Sequence, residues 1–168
     1  VLYGSYGLDQ CLDLVERALA VEAPTPSLSA DWLIGDGIAL TMIDTVPPAG
    51  HFADCSISLR EDGGFDLTVG TAEFGNGTST VHRQIAASAL ATTVDRIRLL
   101  QSDTAHGGHD TGAYGSAGTF VAGRATHAAA EALAGQLKQF AASLLGENPD
   151  ACTLDNHATV CAGRRTPF

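Results

Sequence analysis

Two short glycine-rich stretches carry the residue types best suited to chemistry in this chain. The first is Gly75-Asn76-Gly77, followed at once by Thr78, Ser79 and Thr80. The second runs Gly112-Ala113-Tyr114-Gly115-Ser116-Ala117-Gly118-Thr119. Glycine permits positive φ and lets a backbone come close to a ligand that side chains would hold off. Where such a turn opens a helix, the first N–H groups have no intrahelical acceptor and sit at the positive end of the dipole. That combination accepts a phosphate or pyrophosphate, and neighbouring hydroxyls can add donors. Glycine before a helix also serves as a plain tight connection, and spacing alone does not separate the two readings. Neither stretch is a G-x-G-x-x-G fingerprint or a Walker sequence, which excludes a dinucleotide fold or a P-loop.

The elements that must position these turns follow from the hydrophobic period. Leu8, Leu12, Val15 and Leu19 are spaced for an amphipathic helix, giving an opening helix over 1–20. Pro24 and Pro26 break the pattern, so 21–31 reads as a linker. Residues 32–168 form the main lobe. It begins with an apolar, partly β-branched run from Trp32 to Thr45, expected as a strand. Ala53 to Arg60 and Phe65 to Val69 alternate on either side of Asp62-Gly63-Gly64, a hairpin signature. Val81, Ile85, Ala89 and Leu90 place a helix over 78–91, and Asp95 to Gln101 a short strand. After a polar loop over 102–112, an Ala-rich helix is expected from about Thr119 to Leu145, ending at Gly146. A last strand covers Thr153 to Cys161. The fold class is therefore α+β: a mixed sheet covered by two long helices, in β-β-α-β-α-β order.

Other residues look chemical but carry less. His106 and His109-Asp110 have a spacing that could hold a metal, with His82 to complete the set. A zinc site wants four ligands at fixed spacing and the cysteines lie elsewhere in sequence, so the stretch reads as a solvated loop and no metal ligand is assigned. Glu147 follows a helix end and reads as an exposed residue. Asp103 reads as a loop-capping carboxylate or as an organiser of the second glycine turn. No residue is assigned a catalytic role. Cys11, Cys55, Cys152 and Cys161 are far apart, with no C-x-x-C pair, and are expected to be reduced and to bind no iron.

Composition narrows the partners. Nine Lys+Arg against 19 Asp+Glu give a formal charge of −10, which argues against nucleic acid, where a basic face must neutralise phosphates. No apolar run approaches the roughly 20 residues of a membrane span, and no signal peptide opens the sequence. A cytoplasmic location is expected. The first residue is Val1 and not Met, which reads as a start inside a longer chain.

The run Gly70-Thr71-Ala72-Glu73-Phe74-Gly75-Asn76-Gly77-Thr78-Ser79-Thr80, with Gln84-Ile85-Ala86-Ala87, resembles the G-x-x-E-x-G-Q-G-x-x-T…Q-x-A element of molybdenum hydroxylase large subunits, the xanthine dehydrogenase/aldehyde oxidase family. Asp103-Thr104 and Gly115-Ser116-Ala117-Gly118-Thr119 through Gly123-Arg124-Ala125 resemble the family's second element. Tyr3-Gly4-Ser5-Tyr6-Gly7 is similar to the start of the second half of its cofactor region, and Asp44 to Pro48 corresponds to a loop that faces substrate. The resemblance implies that Gly75, Asn76, Gly77, Gly115, Ser116, Gly118 and Thr119 contact a molybdopterin-type molybdenum cofactor, in its cytosine dinucleotide form. It also implies an oxidoreductase that hydroxylates aldehydes or aromatic N-heterocycles with oxygen from water. Iron–sulfur and FAD centres would then lie on partner subunits or domains. The family's catalytic glutamate lies much further toward the C-terminus, so this chain, one lobe of the molybdenum subunit, should be inactive alone. Two positions depart from the pattern: Asn76 stands for Gln, and Ala117 where many members carry Arg. The rival reading is a non-catalytic α+β assembly or anion-binding module on the same fold.

Overall fold

The alternating runs around Asp62-Gly63-Gly64 form the hairpin that the sequence predicts: β1 (Cys55–Leu59) pairs antiparallel with β2 (Phe65–Val69). Register sets Ile57 opposite Leu67 and Leu59 opposite Phe65, so one face is apolar throughout. The Asp62 carboxylate accepts the Gly64 N–H at 2.9 Å, and the Arg60 N–H donates to Gly64 O at 2.8 Å, which closes the turn. The chain then crosses through α2 (Thr78–Ala89) to β3 (Ile97–Gln101), which lies parallel to β2. A parallel neighbour needs such a crossover, and a helix supplies it. The resulting sheet, in the order β1-β2-β3, is mixed as expected.

These elements come from a computed structural model that describes residues 6–21, 29, 31–41 and 49–168. It divides into two units, Val1–Ile43 and Asp44–Phe168. In the first unit α1 (Leu8–Ala20) forms where the apolar spacing puts it, with none of its residues buried. The strand expected from Trp32 to Thr45 does not form over 31–41, where the chain is exposed and pairs with no strand among the described residues. High β-propensity is no substitute for an edge to pair with. Residues 42–48, which include the expected substrate-facing loop, lie outside the described residues, as do 1–5 and most of the expected linker.

The second unit is built on α3 (Gly123–Leu145), entered through a wide helical turn at Gly118–Ala122. Its buried positions Thr126, Ala130 and Ala134 recur every four residues and form one small-residue stripe. The stripe lets α3 lie close over the hairpin and α2, around a core of Phe65, Leu67, Ala86, Leu90 and Ile97. Gly123 marks the tightest approach, since a Cβ there would stand 3.1 Å from Ile85 Cδ1 on α2. Gly146, with φ +67°, ends α3 in the left-handed conformation typical of a helix stop.

The single strand expected over 153–161 is instead a hairpin, β4 (Cys152–Asp155) and β5 (Ala158–Cys161), extended by β6 (Arg164–Pro167) into a second three-stranded sheet. The turn falls at Asn156, with φ +26°, and His157, a pair with a weaker turn signal than Asn-Gly. This hairpin corrects the expectation that all cysteines are reduced. Cys152 pairs directly with Cys161 across the two strands, their Cα atoms 4.2 Å apart, and a disulfide joins them. Antiparallel pairing, invisible in the one-dimensional spacing, is what brings them together. Cys11 and Cys55 remain free thiols. The disulfide packs with Ala141, Ala142 and Leu145 against the end of α3.

Closing a loop of this length should restrict the unfolded chain by about 2–3 kcal/mol. Denaturant unfolding of the Cys161→Ala variant, compared with the parent under oxidising conditions, should show a loss of about that size. Under reducing conditions the two midpoints should draw together.

Candidate functional site

The two glycine turns lie side by side. A Cβ built on Gly118, at the start of the turn into α3, would stand 3.6 Å from Thr78 Cγ2 and 3.8 Å from Thr71 Cγ2. Thr78 is the first residue of α2. The N-termini of the two long helices therefore meet at one edge, as expected from the turns. The connecting loop is pinned there. Asp110 accepts the Thr71 hydroxyl at 3.0 Å and the Gly112 N–H at 2.8 Å. Asp54 and His109 exchange backbone contacts, the Asp54 N–H donating to His109 O at 2.7 Å and the His109 N–H to the Asp54 carboxylate at 2.9 Å. Gly70 is required here, because a Cβ would run into the Asp110 side chain at 2.7 Å. Asp103 caps the loop: its carboxylate accepts the Ala105 N–H at 2.8 Å and its carbonyl the Gly107 N–H at 2.7 Å.

The first turn differs from expectation in one respect. Its N–H groups are not free. Glu73 Oε1 accepts from Gly75 at 2.7 Å and from Gly77 at 3.1 Å, and Oε2 accepts from Ser79 at 2.9 Å. The carboxylate sits where an external anion would sit and caps α2 from within the chain. Three backbone donors favour its charged form, and its pKa falls from the ordinary 4.5 to about 2. Asn76 is also engaged locally, its Oδ1 within 3.1 Å of the Thr78 hydroxyl and its Nδ2 3.5 Å from Ala72 O. Gln101, at the end of β3, ties the turn to the sheet by accepting the Ser79 hydroxyl at 2.6 Å and donating to Thr78 Oγ1 at 3.2 Å. Sequence reasoning missed Glu73 as a cap because capping carboxylates are sought inside the first turn, whereas this one reaches forward from before it.

The second turn uses the N–H groups of Gly112, Tyr114 and Ala117 within the loop but leaves two others open. Gly115 and Ser116 both adopt φ +59°, and their N–H groups have no acceptor among the described residues. No side chain caps the helical turn that follows. Ser116 and Thr119 are exposed, and Ala117 is buried beneath them. A cavity of about 1270 Å³ opens over this turn, lined by Gly115, Ser116 and Thr119 and walled by Phe52, Ile85 and Phe120. Arg124 lines it too, one turn and a half further along, without an ion pair among the described residues. Gly75, Asn76 and Gly77 do not line it. Beside it Phe52 stacks on His109, with ring centroids 4.4 Å apart.

The remaining singled-out residues fall elsewhere. His82 is fully buried in α2, whereas His106 is exposed in the loop. Among the described residues no three His, Cys, Asp or Glu side chains cluster to hold a metal. Glu147 is more than an exposed residue, since Arg164 on β6 pairs with it at 2.6 Å. No described helix is long and apolar enough to cross a membrane.

Comparison with known proteins gives this geometry its context. Residues 10–168 match the family model for the molybdopterin cofactor-binding domain. A similar relative is the probable hypoxanthine oxidase XdhD of Escherichia coli (strain K12), 34% identical over 143 residues, which cover 85% of this chain and 15% of the relative. Among solved structures, the reconstituted CO dehydrogenase from Oligotropha carboxidovorans superposes with a TM-score of 0.63 at 26% identity, over 70% of this chain and 15% of that one. Quinoline 2-oxidoreductase from Pseudomonas putida 86 has the same fold, with a TM-score of 0.65 at 23% identity over 72% of this chain and 16% of that one. The chain belongs to the molybdopterin cofactor-binding domain family. It spans about 15% of the length of the relatives it matches.

The cap makes a pH prediction. A group whose folded pKa is depressed contributes stability above its unfolded value, and that contribution is lost as pH falls through the folded value. For Glu73 the window runs from about 4.5 down to about 2. Glu73→Gln should therefore melt below the parent at neutral pH, with the gap narrowing through that window. A gap independent of pH would remove the charged cap from the account.

Proposed function

We propose that this chain supplies the anion-gripping part of a molybdenum hydroxylase subunit, with the second glycine turn as the principal contact to the molybdopterin cofactor. The observation that carries the reading is the pair of N–H groups at Gly115 and Ser116, open among the described residues in a turn that lines a cavity, while those of Gly75 and Gly77 are already occupied. Among the described residues the set fits an anionic group: backbone N–H groups without an acceptor at a helix start, two exposed hydroxyls and one guanidinium without an ion pair. Gly115, Ser116, Gly118 and Thr119 would hold the cofactor's phosphate end by direct donors. Gly75, Asn76 and Gly77 would contribute shape, allowing close approach at the adjoining edge. Ala117 brings no cation to this turn, and Arg124 stands on the same cavity wall.

When bound, the cofactor supplies a two-electron redox centre. The protein's part would be to position it through the donors of Gly115, Ser116, Gly118 and Thr119. The cofactor is read as the cytosine dinucleotide form. The parent enzyme is read as hydroxylating an aldehyde or aromatic N-heterocycle with oxygen from water, in the cytoplasm. Electrons would pass to iron–sulfur and FAD centres on partner subunits or domains. The catalytic base would come from the remainder of the molybdenum subunit, so this chain alone should show no turnover.

In the parent subunit, Ser116→Ala combined with Thr119→Val should lower molybdenum content after purification. Each lost hydroxyl contact to a charged group is worth about 1.5–3 kcal/mol, so affinity should fall at least tenfold. Full molybdenum content in the double variant, measured by mass spectrometry of the metal, would favour a module that serves assembly alone.

A further inference from the structure

Beneath the two glycine turns lies a buried histidine that the cofactor reading does not use. His82, one turn into α2 from Thr78, is 0% exposed, and so is Thr126, one turn into α3 from Ala122. The His82 ring nitrogen Nδ1 is 3.1 Å from Thr126 Oγ1. The Thr126 hydroxyl donates its own proton to Ala122 O at 2.9 Å. Its oxygen is left to accept, and Cys55 on β1 approaches it at 3.7 Å as a thiol donor. Burial pushes that thiol up, so it keeps its proton. With the Thr126 proton given to Ala122 O, Nδ1 is the nitrogen placed to carry the histidine proton and give it to Thr126. The other nitrogen, Nε2, is buried with no hydrogen-bond partner among the described residues.

An unpaired acceptor of this kind is tolerable for a neutral ring. A second proton is not, because it would create a buried N–H with no acceptor and a charge with no solvent. We propose that His82 is an acid-sensitive latch: neutral, it seals the α2–α3 contact under the glycine turns, and protonation forces that contact apart. The groups facing it are few. From α3 it meets uncharged Thr126, and from β1 the protonated thiol of Cys55. The loop before α3 contributes Asp110, the one nearby charge, which favours the protonated ring. Asp110 is already committed to Thr71 and Gly112, and desolvation outweighs it, so the ring is held below its ordinary value of 6.5. The sign follows directly. Below pH 6.5 the unfolded chain takes up a proton that the folded chain refuses, so stability is present above that value and is lost as pH falls toward the folded one. The latch stands on packing, and it holds whether or not the cavity takes a cofactor.

The test uses the isotopically labelled 168-residue chain and its histidine ring nitrogens. As pH falls from about 7.5 through 6.5, the folded signal of His82 should keep a neutral ring with Nδ1 protonated. Over the same range the folding equilibrium of the parent should weaken by up to about tenfold per pH unit relative to His82→Leu. The idea fails if His82 titrates near its ordinary value while the amides of Thr78–His82 and Gly118–Thr126 stay unmoved. It fails equally if Nε2 carries the proton, or if parent and variant share one pH slope. Should the variant not fold, the ring spectrum of the parent decides alone.

Discussion

The arrangement depends on one carboxylate. Glu73 gathers the N–H groups of Gly75, Gly77 and Ser79, and so fixes both the turn and the first residues of α2. A bare helix start carries unsatisfied donors that must be hydrated or capped. With the cap inside the chain, Thr78 is held against Ala72 and Gln101, at the edge where Gly118 arrives. The N–H groups of Gly115 and Ser116 in the second turn have no such internal acceptor among the described residues. Two turns of similar composition take on unlike tasks, one structural and one available to bind.

Packing beneath this edge explains why it holds its shape. The small residues Gly123, Thr126, Ala130 and Ala134 bring α3 close to α2 and the hairpin, and a bulky polar group in that seam, His82, is matched to Thr126. Larger side chains in the stripe would move the helix start, and with it the donors of Gly115 and Ser116. The second sheet and its disulfide grip the opposite end of α3. The helix is thereby anchored at both ends while its entrance stays exposed to the cavity.

Much of this was legible in the sequence. Asp62-Gly63-Gly64 announced the hairpin, the apolar period announced α2 and α3, and the two glycine runs marked the edge where the helices meet. What was not legible depends on pairing in three dimensions. Cys152 and Cys161 looked unrelated until the Asn156-His157 turn set them opposite each other. Trp32 to Leu40 has strand-like composition but no neighbour among the described residues. Glu73 was read as part of a family motif, yet its role lies in backbone donors that only the folded turn directs at it. The expectation that Gly75 and Gly77 offer free N–H groups failed for that reason.

The division of labour between the turns is the central claim, and amide chemical-shift mapping tests it directly. The labelled 168-residue chain would be titrated with inorganic pyrophosphate. The account predicts that signals of Gly115, Ser116, Gly118 and Thr119 move, while those of Gly75, Gly77 and Ser79 stay in place under Glu73. Movement centred on the first turn, or no movement at the second, would contradict it.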